Sequence, residues 1–173
     1  RLAEALAVVA PIEPLRRALG GYDAAFHEAV VTQLLARLGL RARTADDDDE
    51  LLRVTIDFLR TSAVGVDRFF FDWYAGEASA PRALAGPAAG HYVGAAFDAL
   101  RRRLAAYEPV APERTTLPYF QQGEPCSLLY DEIETIWAAI DARDDWGPFE
   151  AKLAAIDALR SANPELAVRG RHA

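Results

Sequence analysis

Asp131, Glu132 and Glu134 put three carboxylates into four positions, a grouping able in principle to hold a divalent cation or share a proton. Asp46 to Asp49 form a second acidic run of four consecutive side chains. That run lacks the spaced oxygen ligands, central glycine and distal glutamate of a calcium-binding loop. The histidines, His27, His91 and His172, stand far apart, and none has a His or Glu partner at zinc-protease spacing. Ser127, His91 and an aspartate would make a nucleophilic triad on paper, but no nucleophile-elbow sequence surrounds the serine. Cys126 is the sole cysteine, which excludes an internal disulfide and a cysteine-rich zinc site. Lying after a proline and before an apolar helix, it reads as a small core residue. No glycine-rich phosphate loop occurs, nor a kinase-like catalytic loop followed by a metal-binding aspartate. The sequence therefore assigns no catalytic, cofactor-binding or metal-ligating residue.

The elements around these residues explain them without chemistry. Asp46 to Asp49 precede Leu51, Leu52, Ile56 and Leu59, an amphipathic helix whose positive N-terminal end favours acids. Asp131, Glu132 and Glu134 form the solvated face of a helix capped by Ser127, with Leu129, Ile133, Ile136, Trp137 and Ile140 as its buried stripe. Asp144 and Asp145 open a turn in which Trp146 is expected to be buried, and Gly147-Pro148 starts a helix carrying Phe149, Leu153, Ile156 and Leu159.

Upstream, Arg1 to Ala10 reads as a helix stopped by Pro11, and Ile12 to Leu19 adds a turn or two. Tyr22, Phe26, Val30, Leu34 and Leu38 recur every four residues, and Gly39 can close their helix in the left-handed region. Phe69, Phe70, Phe71, Trp73 and Tyr74 form a dense aromatic anchor. Residues 76–90 read as a connection with weak helical content. Val93, Phe97, Leu100, Leu104 and Tyr107 share a further helical face. Pro109, Pro112, Pro118 and Pro125 predict an extended loop pinned by Tyr119 and Phe120. Nothing alternates with period two over a strand length. The fold class is all-α, an irregular bundle of about six to eight helices. Residues 1–163 are expected to form one helical domain and 164–173 a disordered tail. Phe26, Phe97, Trp137 and Phe149 are expected inside.

A net charge of −7 over 173 residues opposes general affinity for nucleic-acid phosphates. Arg101, Arg102 and Arg103, the compact basic cluster, spread around a helix as a solvated face. No apolar run reaches the roughly 20 residues that span a bilayer, and no signal peptide opens the chain. Methionine is absent even at position 1, and the chain starts inside a helical pattern, so an N-terminally truncated part of a longer protein is expected.

Two blocks carry a resemblance. FFFDWYAGEASAPRA and PCSLLYDEIETIWAAIDARDDWGPFEAKLAAI, with RLAEAL at the start and Leu19 to Leu40, are similar to the C-terminal region of the SelO (YdiU) family of protein adenylyltransferases. The resemblance implies a kinase-like parent that moves AMP from ATP onto Ser, Thr or Tyr hydroxyls of proteins. ATP and Mg2+ are its implied cofactors, and its location is cytoplasmic. The family's nucleotide- and metal-binding motifs precede this region, and no residue here matches them. This portion would be helical and non-catalytic, with the upstream kinase-like domain and, through the parent, protein substrates as partners. Some members carry a reactive cysteine or selenocysteine near the C-terminus, and Val168 to Ala173 holds none. The alternative is an independent helical interaction module without catalytic activity. A self-contained small enzyme ranks last, since no acid–base pair or nucleophile stands out.

Overall fold

A computed structural model describes residues 11–166, so the helix expected over Arg1 to Ala10 and the tail beyond Leu166 lie outside the described residues. The all-α expectation holds: the described elements are helices and 3-10 turns, with one isolated antiparallel bridge between Leu40 and Pro109. The chain divides into two compact units, one ending at Leu34 and the other running from Leu35.

The first unit contains α1 (Ile12–Gly20) and most of α2 (Tyr22–Leu38). Phe26, expected inside, is 57% exposed. Its ring stacks on Tyr22 one turn earlier, with centroids 5.7 Å apart, so the four-residue spacing made a local pair on the helix surface.

In the second unit α2 ends on the buried Leu35 and Leu38, and Gly39 closes it at φ +61° as its position predicts. A Cβ on Gly39 would stand 2.6 Å from the Tyr74 ring, so close packing as well as backbone conformation requires glycine there. Thr44 caps α3 (Ala45–Thr61) by accepting from the Asp47 N–H at 3.2 Å, and Asp46, Asp47 and Asp48 occupy its first turn. α3 buries Leu51, Val54, Thr55 and Phe58.

The short α4 (Val66–Asp72) carries the aromatic anchor, and Phe69, Phe71, Trp73 and Tyr74 are all buried. The connection after it is more helical than expected: a 3-10 turn at Gly76–Ser79, α5 (Ala80–Ala85) and another 3-10 turn at Ala89–His91. Pro81 sits in the first turn of α5, where its missing N–H leaves no bond unmade. α6 (Ala95–Leu104) then packs against α3 and buries Phe97, Leu100 and Leu104. Val93, assigned to the same face, precedes that helix and is exposed. The proline-rich crossing holds a 3-10 turn at Pro112–Thr116 and α7 (Pro118–Gln121), with Tyr119 and Phe120 buried as expected.

α8 (Tyr130–Arg143) and α9 (Gly147–Ala162) form the last hairpin. Ser127 does not cap α8: the flanking position is Leu129, while the Ser127 carbonyl accepts from Lys152 Nζ at 2.7 Å. Phe97 is buried, but Trp137 is 64% exposed, Trp146 49% and Phe149 39%. The hairpin turns inward its small positions, Ala139 and Ala162, with Ile136, Ile140, Ile156 and Leu159 partly covered. An apolar stripe wider than the helix–helix contact keeps its outer half in solvent. The turn itself is tight, with Asp144 left-handed at φ 52° and its Oδ1 accepting from Trp146 Nε1 at 2.9 Å. After α9, Pro164–Leu166 makes a 3-10 turn, and Glu165 pairs with Arg114.

Candidate functional site

α4 separates two aromatic clusters. Phe58 packs on Phe69, Tyr92 and Phe97, and Trp73 meets Tyr92 edge-on at 5.6 Å. Toward the C-terminal helices, Tyr74 stacks on Phe120 at 4.4 Å while Phe71 meets Tyr119 edge-on at 5.4 Å. Ala162, with Cys126 and Leu159 packed alongside, completes this second cluster. Such offset and edge-on pairs add to the effect of burial by fixing ring orientation.

Asp72 forms a buried polar node at the end of α4. Its Oδ2 accepts from Arg68 Nε at 2.9 Å, one helical turn back, and from the Tyr92 hydroxyl at 2.7 Å. Arg82, from α5, donates through Nη2 to the Phe71 carbonyl at 2.6 Å and the Asp72 carbonyl at 3.0 Å. Its guanidinium lies over the Phe71 and Phe120 rings at 4.9 and 5.5 Å. Burial is the main influence that lowers the Arg82 pKa below the usual arginine range, with Asp72 opposing it. For Arg68 burial acts in the same direction, but the Asp72 hydrogen bond and charge outweigh it and leave the pKa raised. A cavity of about 130 Å3 opens beside these groups.

A second node joins α3 to the end of α6. Asp48 is buried, and its Oδ1 accepts from the Tyr107 hydroxyl at 2.8 Å and the Arg43 N–H at 3.1 Å. One aspartate of the acidic run is therefore a structural acceptor, which the cap argument did not foresee.

The sequence candidates for chemistry do not assemble into a site. His91 lies on the wall of a cavity of about 180 Å3 with Arg68 and Glu124, and Ser127 is not among that cavity's lining residues. Glu132 pairs with Lys152 at 2.5 Å. Among the described residues no group of three His, Cys, Asp or Glu side chains is placed to hold a metal ion. Cys126 is half-buried, and burial raises its thiol pKa, so a reactive thiolate is disfavoured there. The Asp72 node escaped the sequence reading, although Arg68 and Asp72 stand at the four-residue spacing of a helical ion pair.

The nodes have a consequence for alkaline stability. Burial, followed by the hydrogen bond to an aspartate, raises the Tyr92 and Tyr107 pKa values above the ordinary 10.0. Unfolding above that pH releases protons that the folded phenols retain. The contribution of these two tyrosines to stability should thus be level up to about pH 10 and then fall by about 1.4 kcal/mol per pH unit per tyrosine. Urea midpoints between pH 8 and 11 measure this, and Tyr92→Phe should flatten the fall; an unchanged slope in that variant would disprove the assignment.

Comparison with known proteins gives the family. The model of the family "Protein adenylyltransferase SelO" matches residues 1–157. The chain is 29% identical over 156 residues to a protein nucleotidyltransferase YdiU of Gloeobacter violaceus, covering 83% of this chain and 31% of that protein. It is also 29% identical over 161 residues to the corresponding Trichodesmium erythraeum protein, covering 86% and 32%. It thus spans about a third of the length of these curated relatives. No solved structure matches it significantly. With the family's pattern running through the aromatic anchor and the final hairpin alike, the chain belongs to the SelO family of protein adenylyltransferases.

Proposed function

We propose that these residues are the helical, non-catalytic portion of a longer protein that transfers AMP from ATP to Ser, Thr or Tyr hydroxyls of proteins. The observation that carries this reading is the family match over residues 1–157 combined with coverage of only about a third of each relative. The packing supports it. The described aromatic and arginine groups serve burial and hydrogen bonding, while Tyr130, Ile133 and Trp137, spaced along one side of α8, give that helix an exposed apolar face. In this reading that face covers part of a kinase-like domain of the same chain.

ATP and Mg2+ belong to the proposal through the family, and the described residues do not fit them. Asp47 is engaged by Thr44 and Arg43, Asp48 by Tyr107 and the Arg43 N–H, and Glu132 by Lys152. No step of AMP transfer is therefore assigned to a residue of this sequence. A cytoplasmic setting is part of the same reading, and no described helix is long and apolar enough to cross a membrane.

Incubation with ATP labelled on its α-phosphate tests the proposal. The 173 residues alone should incorporate no label, whereas the longest natural reading frame containing them should label itself or added protein. Incorporation by the 173 residues that survives a denaturing gel would place the chemistry here and overturn the reading. Two inactive samples would favour an independent interaction module.

A further inference from the structure

We propose that the exposed seam of α8 docks one amphipathic helix from the remainder of the parent chain, its apolar ridge edged with lysine or arginine. This rests on the reading that the residues are part of a longer protein. Tyr130, Ile133 and Trp137 stand at i, i+3 and i+7, so their side chains line up along one side of the helix. All three are exposed, Tyr130 by 73%. Leu128 and Leu129, just before the helix, are exposed as well and lengthen the apolar surface. A seam at this spacing is one through which two helices interdigitate, and Trp and Tyr are common anchors of such contacts.

Charge decides what kind of helix fits. Glu134 follows Tyr130 by four residues and Asp141 follows Trp137 by four, so both carboxylates border the same edge of the seam. They and Asp131 make no side-chain hydrogen bond or ion pair among the described residues. The cations of the hairpin are committed elsewhere: Lys152 to Glu132 and the Ser127 carbonyl, Arg143 to Asp145, and Arg160 to Asp157. The opposite edge is apolar, with the half-buried Ile140 three residues after Trp137. A wholly apolar partner would strip water from the acidic edge and return no counter-charge. A helix with Lys or Arg along its edge pairs the carboxylates at the rim while its ridge fills the seam.

A second copy of the chain fits less well. Two copies docked seam to seam in antiparallel order bring acidic edge against acidic edge. In parallel order each acidic edge meets an apolar one and stays uncompensated. The remainder of the parent has the length to supply the helix, since this chain spans about a third of its relatives.

The probe is a fluorescent amphipathic peptide of about three heptads, with leucine at its seam and lysine at both edges, and a glutamate-edged twin is the control. In anisotropy titrations at low salt the 173 residues should bind the lysine peptide at least about tenfold more tightly than the twin. Trp137→Ala should weaken that binding about tenfold or more. Because the side chain is 64% exposed, helicity by circular dichroism should not change. Reversing the edge with Glu134→Lys and Asp141→Lys together should transfer the preference to the twin. The longest natural reading frame containing these residues should bind neither peptide and should protect Tyr130 and Trp137 from hydroxyl-radical oxidation, because its own helix fills the seam. No saturable binding by the 173 residues, or equal binding of the two peptides, would overturn the proposal. Full binding by the longer protein would assign the seam to a separate partner and overturn it likewise. A dimer of the 173 residues that Trp137→Ala abolishes would overturn it in favour of a second copy. A longer protein that transfers no AMP yet protects both side chains would sink the catalytic reading and leave this one standing.

Discussion

Trp73→Ala is expected to cost about 3–5 kcal/mol, whereas Trp146→Ala should cost less than about 1 kcal/mol. Trp73 is fully buried and packs against Tyr92 and Phe97, with ring centroids 5.6 and 5.2 Å away. Its removal opens a cavity lined by rings whose own packing prevents collapse onto the void. Trp146 has half its surface in water and contacts Phe149 and the Asp144 carboxylate in an exposed turn. One detail moderates the larger value. The Trp73 Nε1 is buried without an acceptor, so truncation also removes an unsatisfied donor. Trp73→Phe should therefore be milder than Trp73→Ala. Urea unfolding followed by circular dichroism measures all three variants. A Trp146→Ala loss equal to that of Trp73→Ala would mean that the hairpin turn is packed as tightly as the core.

The contrast between the two tryptophans shows what the sequence made legible. α5 and α7 fell in segments read as a connection and an extended loop, but period and punctuation located other ends well: α2 closes where Gly39 predicts, and Gly147-Pro148 opens α9. These are local decisions made by backbone sterics and caps, which neighbouring residues suffice to determine. Which apolar face becomes interior depends on what packs over it, and spacing carries no information about that. Phe97 and Trp137 occupy comparable stripes, yet one is inside and the other 64% exposed, because α3 covers α6 while the outer side of α8 remains in solvent. The polar nodes were hidden for a similar reason. Arg68 and Asp72 are adjacent on one helix, but Tyr92 and Arg82 come from later elements, and only the fold brings the four together.

Removing the acceptor at the centre of that node gives the other large expected effect. Asp72→Ala leaves the Tyr92 hydroxyl and Arg68 Nε without their acceptor and two guanidiniums without the intervening negative charge. Breaking a buried pair by deleting one partner typically costs about 3–5 kcal/mol, because the remaining charge stays desolvated. Tyr92→Phe deletes one donor but leaves Asp72 paired with Arg68, so its cost should lie nearer 1.5–3 kcal/mol, about the value of a hydrogen bond to a charged group. Asp72→Asn keeps the shape and an acceptor oxygen while losing the charge, and should be milder than Asp72→Ala. Denaturant midpoints for the three variants test this order. A cost below about 1 kcal/mol for Asp72→Ala would show that water readily replaces the carboxylate.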